Sequence, residues 1–220
     1  PQNTVYFVNY DMVQADINFK ANEEKYDPKL ETMARAFNEY FGGGMASVVF
    51  QDIRESRALA YSAYSRFGVP NKKEKTFDAT FYVGTQADKF NDAMGAINNL
   101  LQNMPQLSKS WDLGKKAILT DIQTQRINKE GILFAYETAV NKGLNYDIRK
   151  DIYKNIGSVT LDDLKKFHAD HFKNQKWNIG VMGSKDKIKA DDLKKYGNVK
   201  VLTLKDIFGY DEKNFPKAKP

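Results

Sequence analysis

Arg54 and Tyr61 are the residues here best suited to chemistry, because a guanidinium and a phenol are polar hydrogen-bond donors and the pattern around them is suited to aiming two such groups. They lie in the run Phe37 to Tyr64, F-N-E-Y-F-G-G-G-M-A-S-V-V-F-Q-D-I-R-E-S-R-A-L-A-Y-S-A-Y. On one continuous helix, their separation of two turns would put both on nearly the same face. A simpler reading ends the helix near Arg57 and lets Leu59-Ala60 carry the chain into a strand at Tyr61. An ordinary account is also open, in which Arg54 pairs with Asp52 or Glu55 and Tyr61 is a strand aromatic with a satisfied hydroxyl.

The remaining inventory is short. Gly42-Gly43-Gly44 invites a phosphate-loop reading, since bare backbone N–H groups at a helix start cradle anions. It lacks the Gly-Lys-Ser/Thr ending and follows a helix rather than a strand, so a helix cap and tight reversal, using glycine's access to positive φ, is the expectation. A close approach of extended backbone to this turn stays open. His168 and His171 are the only histidines, three apart and on one helix face. Asp163, Asp170 and Glu137 are conceivable complements, yet neither His-x-x-x-His around a Glu nor the inverted His-x-x-Glu-His is present. With Phe167 and Phe172 alongside, the two histidines read as the edge of a packing face, and no metal ligands are assigned. No Gly-x-Ser-x-Gly elbow occurs, and no cysteine is available as nucleophile, metal ligand or disulfide.

The elements that must position Arg54 and Tyr61 are legible as periodicity. Val5 and Phe7, then Ala15, Ile17 and Phe19, alternate with neighbours as half-buried strands. Asp27-Pro28 supplies an N-cap and first-turn proline for an amphipathic helix through Leu30, Met33, Ala34, Phe37 and Phe41. A second helix, about 46–57, leads into Tyr61 to Phe67, which a loop around Pro70 joins to the alternating Phe77, Ala79, Phe81 and Val83 as an antiparallel partner. Phe90, Ala93, Met94, Ile97, Leu101 and Met104 form a helical stripe closed by Pro105. Helices are expected at about 110–127, 131–142 and 147–156, and Thr160-Leu161-Asp162-Asp163 opens another as a capping box. Trp177, Ile179 and Val181 alternate as a late strand. The order of elements predicts an α+β fold, a sheet with helices gathered on one side. One domain is expected over 1–207, with 208–220 as a polar tail.

At 220 residues, with 41% hydrophobic and 13% aromatic content, the chain can bury a real core. The net charge of +6 is mostly lysine, since only six of 34 basic residues are arginine, and the lysines are scattered among acids. That is a solvated surface and not a nucleic-acid footprint. No apolar run approaches the roughly 20 residues of a membrane span, and the amino end lacks a signal-peptide layout. The abrupt entry into a strand is what a domain excised from a longer polypeptide, or a processed product, would show. Compartment is left undetermined.

The segment from Phe37 to Ser62 closely resembles the C-terminal-half signature of the pitrilysin/insulinase family of zinc peptidases, which includes mitochondrial processing peptidase. A glycine-rich turn precedes Met-x-Ser and a helix, and Arg54, Leu59, Ala60 and Tyr61 match Arg-x-x-x-x-Leu-Ala/Gly-Tyr. Val13-Gln14-Ala15 resembles the family's early strand, and Asn178 to Gly183 its late strand and glycine turn. The resemblance implies a two-layer unit with a mainly antiparallel sheet, paired with a homologous half into a chamber. Zinc would be bound only in that partner half, through the inverted motif that this chain lacks. Tyr61 would donate toward the tetrahedral oxyanion, Arg54 would hold substrate backbone carbonyls, and Gly43 and Gly44 would lie against the peptide. The alternatives are a non-catalytic structural homologue in an assembly, or a stand-alone peptide-binding module.

Overall fold

The computed structural model describes residues 2–209. Its six-stranded sheet has the order β3-β4-β2-β5-β1-β6, with β1 Thr4–Asn9, β2 Gln14–Lys25, β3 Ala60–Gly68, β4 Thr76–Gln86, β5 Asn178–Gly183 and β6 Asn198–Leu202. The first three pairings are antiparallel, while β1 runs parallel to both β5 and β6. The mainly antiparallel α+β architecture expected from the sequence is therefore observed. β6 is an addition, because N-V-K-V-L is short, partly exposed and carries a lysine at its centre.

The alternation that marks the strands also divides the sheet into two unlike faces. Ala15, Ile17, Phe19 and Ala21 of β2 and Phe77, Ala79, Phe81 and Val83 of β4 are buried on one face. Against it stand the helices, led by α1 Glu31–Phe37, which continues from a 3-10 turn, Pro28–Leu30, that Asp27 caps and Pro28 opens. Phe37 and Phe41 stack at 5.0 Å, and Phe41 meets Phe81 edge-on at 6.3 Å, so the helix layer and sheet share one aromatic core. α2 Phe90–Gln102, α3 Ser108–Thr124, α4 Lys129–Asn141, α5 Arg149–Asn155 and α6 Leu161–His168 follow, with the Thr160/Asp163 capping box present. The short α7 Ala190–Lys194 precedes β6, and α8 Leu204–Phe208 follows it. α8 crosses the 207/208 boundary of the expected tail; residues 210–220 lie outside the described residues.

α4 differs from its neighbours in burying none of its residues, with Leu133, Phe134 and Tyr136 exposed. Its far end is tied down by Lys142, whose Nζ lies 2.7 Å from Oε1 of Glu31 with both side chains nearly buried. Tyr26 donates to the same oxygen at 2.6 Å.

Candidate functional site

α1 widens into a π-helical turn, Asn38–Gly42, closed by Gly43 N–H donating to the Asn38 carbonyl at 3.1 Å. None of the three glycines has a positive φ, so the expected left-handed cap is not how this turn is made. Gly42 is required for another reason. A Cβ there would overlap the Ser65 carbonyl oxygen and come within 3.0 Å of its carbon, so the turn lies directly on β3. Asn38 completes the join, donating to the Phe67 carbonyl at 2.9 Å and accepting its N–H at 2.7 Å. Gly43 and Gly44 are exposed, with open space where side chains would be. Because the Gly43 N–H is already engaged, Gly43 offers a ligand room and not a donor.

Ser47 then starts the next helix by accepting the Phe50 N–H at 3.3 Å, and this helix continues as the π-helix Phe50–Ser56. Buried Ile53 anchors it, which directs the adjacent Arg54 outward. The helix ends at Ala58 in the left-handed region, φ 49°, an uncommon conformation for a residue with a Cβ, costing on the order of 1–2 kcal/mol. Leu59 N–H returns to the Ile53 carbonyl at 3.1 Å, and Thr85 Oγ1 donates to the Leu59 carbonyl at 2.6 Å. The chain therefore enters β3 on a fixed path.

That entry carries a β-bulge. Ala60 pairs with Thr85 and Ser62 with Gly84, leaving Tyr61 as the extra residue. In an unbroken strand Tyr61 would share the face of Ala63, Ser65 and Phe67, all buried. The bulge releases it, and Tyr61 is 81% exposed. Arg54 reaches over it, with Cζ 5.3 Å from the Tyr61 ring centroid and 4.8 Å from that of Phe50. Its ion pair with Glu55 is loose at 3.8 Å, and Asp52 is taken instead by Arg57 at 2.9 Å. The Tyr61 hydroxyl has no hydrogen-bond partner among the described residues. The two donors line a recess of about 370 Å³ together with Gln14, Ala60, Gly84 and Lys89. The structure thus brings Arg54 and Tyr61 together at the start of β3, with the glycine turn at the other end of the intervening helix.

The histidines go elsewhere. His168 is buried against Phe37, Phe41 and Phe172, with Nε2 2.9 Å from the Leu100 carbonyl oxygen. Burial pushes its pKa down to about 4, opposed by the bond to Leu100. His171 packs on Phe67 and Phe167 and places Nδ1 2.9 Å from Glu23 and 3.8 Å from Glu24. Gln175 also donates to Glu23. Burial raises the Glu23 pKa despite His171, while for His171 burial is outweighed by the bond and charge of Glu23, and the net is raised. Of the conceivable complements, none of Asp163, Asp170 and Glu137 forms a ligand cluster with the histidines, and Asp163 serves the capping box. Sequence reasoning missed Glu23 and Glu24, which lie 148 and 147 residues from His171 and carry no local signal. With Nε2 of His168 held by Leu100, the two histidines do not fit the inverted zinc motif.

A two-layer α+β unit with a paired Arg and Tyr at the entry to its edge strand is the class of protein these features define. Residues 2–113, just over half the chain, match the model of the family described as Peptidase M16 inactive domain, and the chain belongs to that family. It is similar to an insulin-degrading enzyme homolog of Dictyostelium discoideum, with 25% identity over 150 residues, covering 64% of this chain and 14% of that protein. The crystal structure of a peptidase M16 inactive domain from Pseudomonas fluorescens matches with TM-score 0.69 and 18% identity, over 84% of this chain and 44% of that one. A chain of Complex III2 from Candida albicans matches with TM-score 0.60 and 12% identity, over 92% of this chain and 50% of that one. These structural likenesses carry the fold alone. The chain spans about one seventh of the length of the Dictyostelium relative and under half of the Pseudomonas chain.

Proposed function

We propose that this chain is the non-zinc half of a peptidase, closing a peptide-binding chamber against a homologous zinc-binding half. The observation that supports this most is the bulge that lifts Tyr61 out of the core and sets it beside Arg54. A bulge and a left-handed Ala58 in succession are local costs that packing alone does not require. Zinc bound in the partner half supplies the activated water. This chain's own residues orient and stabilise: the Arg54 guanidinium donates to substrate backbone carbonyls, and Tyr61 donates its phenolic hydrogen to the oxygen that becomes anionic. Gly43 and Gly44, lacking side chains, let an extended peptide approach the turn. The exposed apolar residues of α4 are consistent with a chain that works beside another unit. The α+β domain, expected over 1–207 and carried by α8 to Phe208, acts as that unit, with a peptide and not a nucleic acid as ligand.

A second reading, a structural homologue within an assembly, draws on the fold shared with the Complex III2 chain. The two separate in one experiment. Alone, the chain should hydrolyse no fluorogenic peptide; combined with the zinc-binding half, it should restore hydrolysis. A stable complex of the two that stays inactive with zinc present would reject the peptidase reading in favour of the structural one.

A further inference from the structure

The sheet face opposite the helices is uncovered among the described residues, and its composition is unusual for a surface merely facing water. One row of cross-strand neighbours reads Tyr64, Tyr82, Asn18, Gly180 and Tyr6. Tyr64 and Tyr82 stack with centroids 5.2 Å apart. Tyr82 is held in place because its hydroxyl donates to Asp16 at 2.7 Å. Gly84 leaves the room for that bond, since a Cβ there would lie 3.1 Å from the hydroxyl and 3.5 Å from the carboxylate. At the sheet centre Gly180 presents no side chain, and a Cβ added there would meet only the Asn18 carbonyl, at 3.8 Å. The row is therefore an aromatic shelf beside a shallow trough.

Its charges are unequal in availability. Asp16 is occupied by Tyr82, and Asp78 accepts from Thr80 at 3.1 Å and faces Lys20 at 3.6 Å. Arg66, beside Tyr64 on the same strand face, has no acidic partner among the described residues. It borders a recess of about 370 Å³ with Tyr64, Lys20, Asn18 and the Lys20-paired Asp78. Lys200 lies over the Tyr6 ring at 5.7 Å. The face thus sets Lys20, Arg66 and Lys200 against Asp16 and Asp78, an excess of one positive charge, and Arg66 and Lys200 flank aromatic rings. Along β3, Tyr64 and Arg66 stand three and five residues beyond Tyr61, about 10–17 Å at a strand's rise per residue.

We propose that this face selects peptides: an extended segment bearing an aromatic and an acidic side chain lies across it, its aromatic ring on the Tyr64–Tyr82 shelf and its carboxylate on Arg66. The position of that segment, three to five residues from the bond being cleaved, rests on the peptidase reading; the binding itself does not. A basic peptide meets Arg66 and Lys20 unfavourably, so the discrimination is electrostatic and weakens with salt.

The test is equilibrium binding, by fluorescence anisotropy, of two labelled unstructured twelve-residue peptides to the 220-residue chain at low salt. They are identical except that three glutamates around a central Phe in one are lysines in the other. The glutamate peptide should bind about tenfold tighter, and the preference should shrink at 0.5 M salt. Arg66→Glu should abolish or invert it, and Tyr64→Ala should weaken the glutamate peptide severalfold. Both substituted side chains are exposed, and unchanged circular dichroism confirms folding. Equal affinities in the wild type, or a preference that survives Arg66→Glu, would overturn the proposal. So would self-association through this face that Tyr64→Ala abolishes. Because no bond is cleaved, failure of the reconstituted pair to hydrolyse peptide would remove the peptidase reading while leaving this measurement intact.

Discussion

Lowering the pH from 6.5 to 4 turns buried His168 into a cost of folding, because the unfolded chain takes up the proton first. The ring is 2% exposed, and Nε2 faces a carbonyl, so the neutral ring carries its hydrogen there and donates it to Leu100. A second proton would place a charge among Phe37, Phe41 and Phe172, which is why burial brings the pKa from 6.5 to about 4. Between those values the unfolded chain binds a proton that the folded chain refuses, so stability falls as pH falls. At 1.36 kcal/mol per pH unit the loss is roughly 3 kcal/mol. His171 acts in a separate window with the opposite sign: its raised pKa gives stability that is complete below 6.5 and is lost as pH rises through the folded value. Urea unfolding followed by the fluorescence of buried Trp111 and Trp177, from pH 8 to 4.5, measures both. His168→Gln keeps an amide donor for Leu100 without a titrating group. It should be less stable than wild type at pH 7, and most of that difference should vanish by pH 4.5. Asp147, Asp163 and Asp206, whose pKa values are lowered by hydrogen bonds, weaken both proteins alike in acid. Parallel stability curves for wild type and variant would refute the assignment of this acid sensitivity to His168.

The glycine turn and the buried ion pair make further predictions about stability. Gly42→Ala should cost about 1–3 kcal/mol in urea unfolding, because its Cβ meets the Ser65 carbonyl; Gly44→Ala, which meets nothing, should stay within about 0.5 kcal/mol. Equal effects at the two positions would mean that β3 does not press on the turn. Lys142→Met should destabilise by about 3–5 kcal/mol, since it leaves the Glu31 carboxylate buried with only Tyr26 as partner. A loss below about 1 kcal/mol would mean that the α4 end opens and hydrates Glu31 in the native state.

The strands and most helices were legible because their signals are local. Phe77 to Val83 alternate over a sheet with one buried face, Asp27-Pro28 marks a helix start, and Thr160 with Asp163 forms the expected capping box. The Arg54/Tyr61 pair was legible only through the pattern it shares with a family. Its geometry was not, because the bulge depends on register against β4 and the left-handed residue is an alanine where glycine or asparagine is the usual sign. At the glycine turn the expected positive φ is absent, and the close approach of extended backbone that the sequence left open is what Gly42 serves: its need is set by Ser65, a residue 23 positions away on a packed strand. The pairing of His171 with Glu23 and the addition of β6 beside β1 arise from the same cause, contacts that exist only after the chain returns on itself.

The most direct test of the central claim is the turnover of Tyr61→Phe in the chain assembled with its zinc-binding half. The ring and its contact with Arg54 are kept, and at 81% exposure the lost hydroxyl should change stability by less than about 0.5 kcal/mol. If Tyr61 donates to the oxyanion, kcat should fall about 10²–10³-fold with KM little changed. Turnover equal to wild type, in an assembly that remains intact and active, would contradict the account and return Tyr61 to the role of an exposed strand aromatic.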